Sequence, residues 1–115
     1  MQSGERGFTD AMAQLGLAPR VEFGLVICCF TPVEGARAGA SIEVGVSVDE
    51  LGPWPQAPPH WIHLSTDIRF GRTNSQPSSK PGWLMHSRNV AGWGDAEPAA
   101  GWTSHLQAVL SEAIS

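Results

Sequence analysis

Ser41-Ile42-Glu43-Val44-Gly45-Val46-Ser47-Val48 alternates apolar and polar residues without a break. Successive side chains on a strand point to opposite faces. The octet therefore puts Ile42, Val44, Val46 and Val48 on one face and Ser41, Glu43, Gly45 and Ser47 on the other. One apolar and one wet face mark a half-buried antiparallel strand. Upstream, Arg20 to Thr31 reads as a second strand. Val21, Phe23, Leu25, Ile27 and Cys29 share one of its faces, while Val26, Cys28 and Phe30 make the other apolar too. Its second half is expected to be buried on both sides. Pro32 to Gly39 connects the two, so the pair reads as a hairpin with a long loop.

Downstream, Gly52-Pro53-Trp54-Pro55-Gln56-Ala57-Pro58-Pro59 is neither helix nor central strand, because proline fixes φ and lacks the N–H. Trp61 to Leu64 reads as a third strand and Trp83 to Met85 as a short fourth one. Gly71 to Gly82 and Val90 to Gly101 read as loops, the first polar and the second rich in Gly and Ala.

Helices are expected at both ends. Phe8, Met12 and Leu15 form an apolar stripe beside Ala11, with Ser3 or Thr9 as the cap, Gly16 as the stop and Pro19 beyond it. Trp102, Leu106, Val109, Leu110 and Ile114 form one face of an amphipathic C-terminal helix, with Thr103, Ser104 and Gln107 on the wet side. This helix starts at Asp95 or Thr103, depending on whether Pro98 sits in its first turn. The expected class is α+β: an N-terminal helix, an antiparallel meander sheet of about four strands and a C-terminal amphipathic helix, in one domain over 1–115.

Composition narrows the function classes. Seven Lys+Arg against eleven Asp+Glu give a formal charge of −4, which argues against a dedicated nucleic-acid binder. No run approaches the roughly 20 apolar residues of a membrane span, and Met1 to Phe8 has no apolar core of a signal peptide. The two cysteines, Cys28 and Cys29, are adjacent and point to opposite faces of a strand, so they form no disulfide framework. A reducing cytoplasm is the expected compartment. In an apolar strand they read as small core residues rather than reactive thiols, which need an electropositive, partly exposed setting.

The histidines offer less than their spacing suggests. His60 and His63 face opposite ways on a strand and have no cysteine at a zinc spacing, so no metal or other cofactor is expected. His86 and Ser87 are adjacent, and neighbouring strand side chains diverge. A histidine distant in sequence is the alternative base for Ser87. Arg69, Arg72, Lys80 and Arg88 hold four of the seven cations within 20 positions, either a surface for an anionic partner or a solvated loop. Trp residues are usually core. Trp54, beside the proline run, is the one expected to be an exposed contact.

Three blocks in order carry a resemblance: Trp54-Pro55-Gln56-Ala57-Pro58-Pro59, then Gly82-Trp83-Leu84-Met85, then Trp93 ahead of the final helix. Together they resemble the ubiquitin-conjugating (UBC) superfamily, most of all its small bacterial branches encoded beside ubiquitin-like conjugation genes. Trp54-Pro55 stands where that family has Tyr-Pro, and Pro58-Pro59 matches its double proline. The likeness runs from about Glu5 to Ile114. It implies a UBC-like fold, a loop bearing a catalytic cysteine and a role in ubiquitin-like protein conjugation, with antiviral defence as the implied setting.

The position matching the family's cysteine, eight residues before Trp93, holds Met85. A thioether has no ionisable S–H and cannot form a thioester. The family's His-Pro-Asn is absent, with Asn74 a weak stand-in. His86, Ser87, Arg88 and Asn89 follow Met85 and form a replacement polar surface or cover a degenerate site. The resemblance thus implies a non-catalytic component that binds a ubiquitin-like protein or an activating enzyme, with no nucleic-acid or membrane partner. The binding residues would be Trp54, Arg69, Arg72, His86, Arg88, Asn89 and Trp93. Two alternatives stay open: an active conjugating enzyme whose nucleophile has moved to Cys28, Cys29 or His86, and a metal-dependent hydrolase built on His60, His63 or His86.

Overall fold

A computed structural model describes residues 2–115. Helix α1 (Gly4–Gln14) leads into β1 (Arg20–Glu22), β2 (Leu25–Phe30), β3 (Ile42–Ser47), β4 (Trp61–Ser65), β5 (Ser75–Pro77) and β6 (Trp83–Ser87), and α2 (Pro98–Ser111) closes the chain. The class is α+β as expected, but the antiparallel sheet has six strands rather than four, in the order β1-β2-β3-β4-β6-β5. No helix among the described residues is long and apolar enough to cross a membrane.

Both extra strands have a local cause. The single strand expected over Arg20 to Thr31 is a hairpin. Phe23 and Gly24 both take positive φ, 53° and 73°, and bring Glu22 opposite Leu25. Two left-handed residues make the turn whose twist suits a two-residue hairpin, normally the place of Asn-Gly. The turn shifts the side-chain parity, so Val21 lies across from Val26 rather than on the Leu25 face. Burial on both faces falls over Leu25 to Cys28, largely within the expected second half of the 20–31 stretch, and eases to half-buried at Cys29 and Phe30. The other extra strand, β5, lies inside the polar stretch read as loop. All three of its residues are exposed, and it pairs only with β6. A proline ending such a strand is tolerated at a sheet edge, where one N–H faces solvent.

The helices cover one face of the sheet. Phe8, Ala11 and Met12 from α1 and Trp102, Leu106, Val109 and Leu110 from α2 pack on Val26, Cys28, Ile42, Val44, Val46, Ile62 and Leu64. This is the inward face assigned from the octet, except that Val48 begins a 3-10 turn and is half-buried. Helix α1 ends as Gly16 predicts. Gly16 (φ 76°) donates its N–H to the Ala13 carbonyl at 3.0 Å, and Leu17 donates to Met12 at 3.1 Å, which is the Schellman arrangement. At the other end Ser3 is the N-cap residue but its hydroxyl makes no cap bond, while Gly4 N–H donates to the Trp54 carbonyl at 2.9 Å. Helix α2 has Pro98 in its first turn and Glu97 as its cap, whose carboxylate accepts from Ala100 N–H at 3.2 Å. It stops before Ile114, which is exposed rather than part of the apolar face. Ala113 is buried instead and bridges to Phe70.

The second face of the sheet is covered by chain, not helix. Leu25, Ile27 and Trp83 form a small cluster there. Gly45 makes room for it, since a Cβ would sit 3.2 Å from Leu25 and 3.3 Å from His63. The segment from Ser78 to Gly82 crosses this face. Ser79 Oγ donates to the Phe23 carbonyl at 2.7 Å, and Lys80 Nζ reaches Glu22 at 2.6 Å while lying 4.8 Å above the Phe23 ring.

Candidate functional site

Polar chemistry concentrates where β4 begins and β6 ends. His60 precedes β4, and its backbone is held from two sides. Its N–H donates to Glu50 Oε1 at 2.9 Å, and its carbonyl accepts from Arg88 N–H at 3.2 Å. The Glu50 carboxylate also accepts from Trp61 N–H, so one side chain anchors the entry to the strand. Across the ladder Trp61 faces Ser87. His60 Nε2 lies 2.5 Å from Ser87 Oγ, closing a contact between residues 27 positions apart.

Beside this pair, His86 points into the helix-covered face. Its Nδ1 lies 2.8 Å from Thr73 Oγ1, and its ring packs against Phe70 at 5.0 Å. Arg88 ties these groups together. Its Nη1 donates to Thr73 Oγ1 at 3.1 Å and to the Ser87 carbonyl at 2.8 Å, and its guanidinium stands 4.8 Å over Phe70. His105 of α2 lines a pocket together with Arg88. Burial, and then the charges of Arg88 and His60, lower its pKa from the ordinary 6.5 to about 4. Burial and then Arg88 likewise lower the pKa of His86. These two imidazoles are therefore neutral near pH 7.

His63 lies elsewhere. It faces the chain-covered side, 3% exposed, with Nδ1 2.7 Å from Ser78 Oγ and no partner for Nε2 among the described residues. Burial, with a smaller contribution from His86, takes its pKa to about 4. His60 and His63 thus engage different serines and are not brought together. Among the described residues no three His, Cys, Asp or Glu side chains gather to hold a metal ion.

The residues singled out from the sequence divide into three groups. Arg72, Asn74 and Ser87 line one open groove with Arg88. Arg69 and Asn89 are exposed, and the Arg69 backbone pairs with the C-terminal residues Ile114 and Ser115. Met85 lies in the middle of β6, half-buried, between His63 of β4 and Gln76 of β5. The resemblance implied a loop there. Asn74 does not meet it, because its carbonyl accepts from Ser87 N–H at 2.9 Å, two residues further along.

Two expectations are corrected. Trp54 is not an exposed contact. It is 0% exposed, packed edge-on against Phe8 at 5.0 Å and against Trp93 at 5.4 Å. The flat indole fills the gap between α1 and the proline segment, which adjacency to prolines could not reveal. Trp93 is half-buried, and its Nε1–H donates to the Pro55 carbonyl at 3.1 Å, so it clasps the same segment. Lys80, counted with the arginines, lies by Trp83 at the opposite end of β6 from Arg88 and is bound to Glu22.

The cysteines sit as their neighbours dictate. Cys28 pairs with Val44 on the core face, and burial pushes its thiol up to about 12. Cys29 pairs with Glu43 on the other face and is half-buried.

Reasoning along the chain missed Glu50, Thr73 and His105. Each joins the cluster through the fold, and none stands in a recognisable spacing with the others. Neither the family models, the curated proteins nor the solved structures compared with this chain match it.

Proposed function

We propose that the chain is a UBC-like binding domain in a bacterial ubiquitin-like conjugation pathway. It binds a ubiquitin-like protein, or an enzyme that activates one, without carrying it as a thioester. The observation that carries this reading is the ordered set of sequence blocks with a thioether, Met85, at the nucleophile's place. The order of N-terminal helix, antiparallel sheet and C-terminal helix is compatible with it. A relocated thiol at Cys28 is disfavoured, because a group with a pKa near 12 in the core supplies no thiolate at neutral pH. The contact surface is the exposed Arg69, Arg72, Asn74 and Asn89 around half-buried Arg88. That patch is basic on a chain of charge −4 and suits an acidic partner face.

The test is a native pull-down with the products of neighbouring genes, followed by a charging reaction with activating enzyme and ubiquitin-like protein. Co-elution without a DTT-sensitive adduct is expected, with affinity lost in the Arg72→Glu/Arg88→Glu double variant. Failure to bind any ubiquitin-like or activating protein overturns the proposal. A DTT-sensitive adduct that disappears in Cys29→Ser replaces it with the conjugating-enzyme reading.

A further inference from the structure

Three histidines on or beside β4 and β6 each meet a hydroxyl: His60 with Ser87, His63 with Ser78 and His86 with Thr73. Two of these contacts serve packing, since His63 and His86 are 3% and 2% exposed. The third is different. Ser87 forms part of the wall of two adjoining open grooves, one lined by Arg72, Thr73, Asn74 and Arg88, the other by Trp61, Asn74, Ser75 and Gln76. Ser87 thus meets an imidazole through its hydroxyl and borders a ligand-sized space. A nucleophile and base within hydrogen-bond reach is the geometric requirement for covalent catalysis by serine.

We propose that Ser87 is a nucleophile with His60 as its general base, and that the pair attacks carboxylic esters, preferring those with a negative charge near the carbonyl. The proposal is independent of the partner assigned above. With His60 in its Nδ1–H tautomer, the Ser87 hydroxyl donates to Nε2. Oγ attacks the carbonyl carbon as that proton passes to Nε2, forming a tetrahedral alkoxide. The C–O bond to the leaving alcohol then breaks, and His60 returns the proton to the departing oxygen, leaving an acyl-Ser87 ester. Water, deprotonated by His60, attacks the acyl carbon. Ser87 leaves and regains its proton, and the carboxylic acid is released. Asn74 and Arg88 border the same space and are the residues available to a developing oxyanion. Arg72 and Arg88 account for the preference for anionic esters. Among the described residues no carboxylate hydrogen bonds to the His60 imidazole. Its backbone is fixed instead by Glu50 and Arg88, which makes this a dyad.

The experiment is labelling of the full chain with an alkyl fluorophosphonate, read by intact mass and peptide mapping. One adduct on Ser87 is expected, none in Ser87→Ala, and the His60→Gln rate should fall at least about tenfold, in line with general-base contributions of 10²–10⁴. Unchanged circular dichroism of His60→Gln keeps that loss from being a folding defect. A Ser78→Ala chain should label like the wild type, because its histidine is sealed in. Turnover of p-nitrophenyl hemisuccinate should exceed that of p-nitrophenyl acetate at least threefold. No adduct on the wild type, an adduct on Ser78, or equal labelling of His60→Gln overturns the nucleophile. Equal turnover of the two esters overturns the charge preference.

Discussion

Lowering the pH from 7.5 to 5 should destabilise this protein through His63. The imidazole is 3% exposed, hydrogen bonded at Nδ1 to Ser78 and without a partner at Nε2 among the described residues. Its pKa falls from 6.5 to about 4 because burial penalises the imidazolium. The folded-state pKa lies below the unfolded one, so the unfolded chain takes up the proton first. Stability is therefore full above pH 6.5 and is lost progressively as the pH falls toward 4. The shift corresponds to about 3 kcal/mol when complete, of which about 2 kcal/mol is gone by pH 5. His86 and His105 act in the same direction, so a single protein's pH profile does not isolate His63. The difference between two proteins does. His63→Asn keeps an amide near the Ser78 hydroxyl and cannot titrate. Urea unfolding of both chains at pH 7.5, 6 and 5 should show the wild type losing about 2 kcal/mol more than the variant over that interval. The variant's own stability at pH 7.5 is irrelevant to the slope. Parallel losses, agreeing within about 0.5 kcal/mol, would refute the assignment of a buried neutral imidazole at this position.

Three further outcomes are expected. Trp54→Ala removes a fully buried indole between Phe8 and Trp93 and should cost about 3–5 kcal/mol in urea unfolding, whereas a loss below about 1 kcal/mol would return Trp54 to the surface. Gly35→Ala should lower the melting temperature through a loss of about 1–3 kcal/mol, because φ is 91° and the added Cβ would lie 2.8 Å from the Ser111 carbonyl oxygen. An unchanged melting temperature would mean that the 32–39 connection does not dock on the end of α2. Under native conditions DTNB should modify Cys29 before Cys28, whose thiol becomes reactive only as denaturant unfolds the core. Equal rates in the Cys28→Ser and Cys29→Ser chains would contradict the opposite-face placement.

Much of the frame was legible because periodicity is local. The 41–48 alternation names the core face of β3, and the spacings of Phe8-Met12 and Trp102-Leu106-Val109 name the buried stripes of both helices. Gly16 and Pro98 marked helix ends through their own backbone chemistry. The candidate site was legible only in fragments. His60 and Ser87 each stand out along the chain, but beside other residues, His63 and His86. Register between β4 and β6 places them together, and register is a property of pairing that no single segment encodes.

By itself, then, the sequence determined the α+β class, the apolar faces of its main elements, the separation of the two cysteines and the absence of a thiol at Met85. Only the tertiary structure decided the six-strand order, the turn at Phe23-Gly24, the strand at Ser75–Pro77, the burial of Trp54 and the junction of His60 with Ser87. The physical reason is common to all five. A side chain's facing follows from the geometry of its own segment. A polar edge strand, a left-handed phenylalanine, a buried indole and a long-range hydrogen bond are each stabilised by the neighbour that the fold supplies.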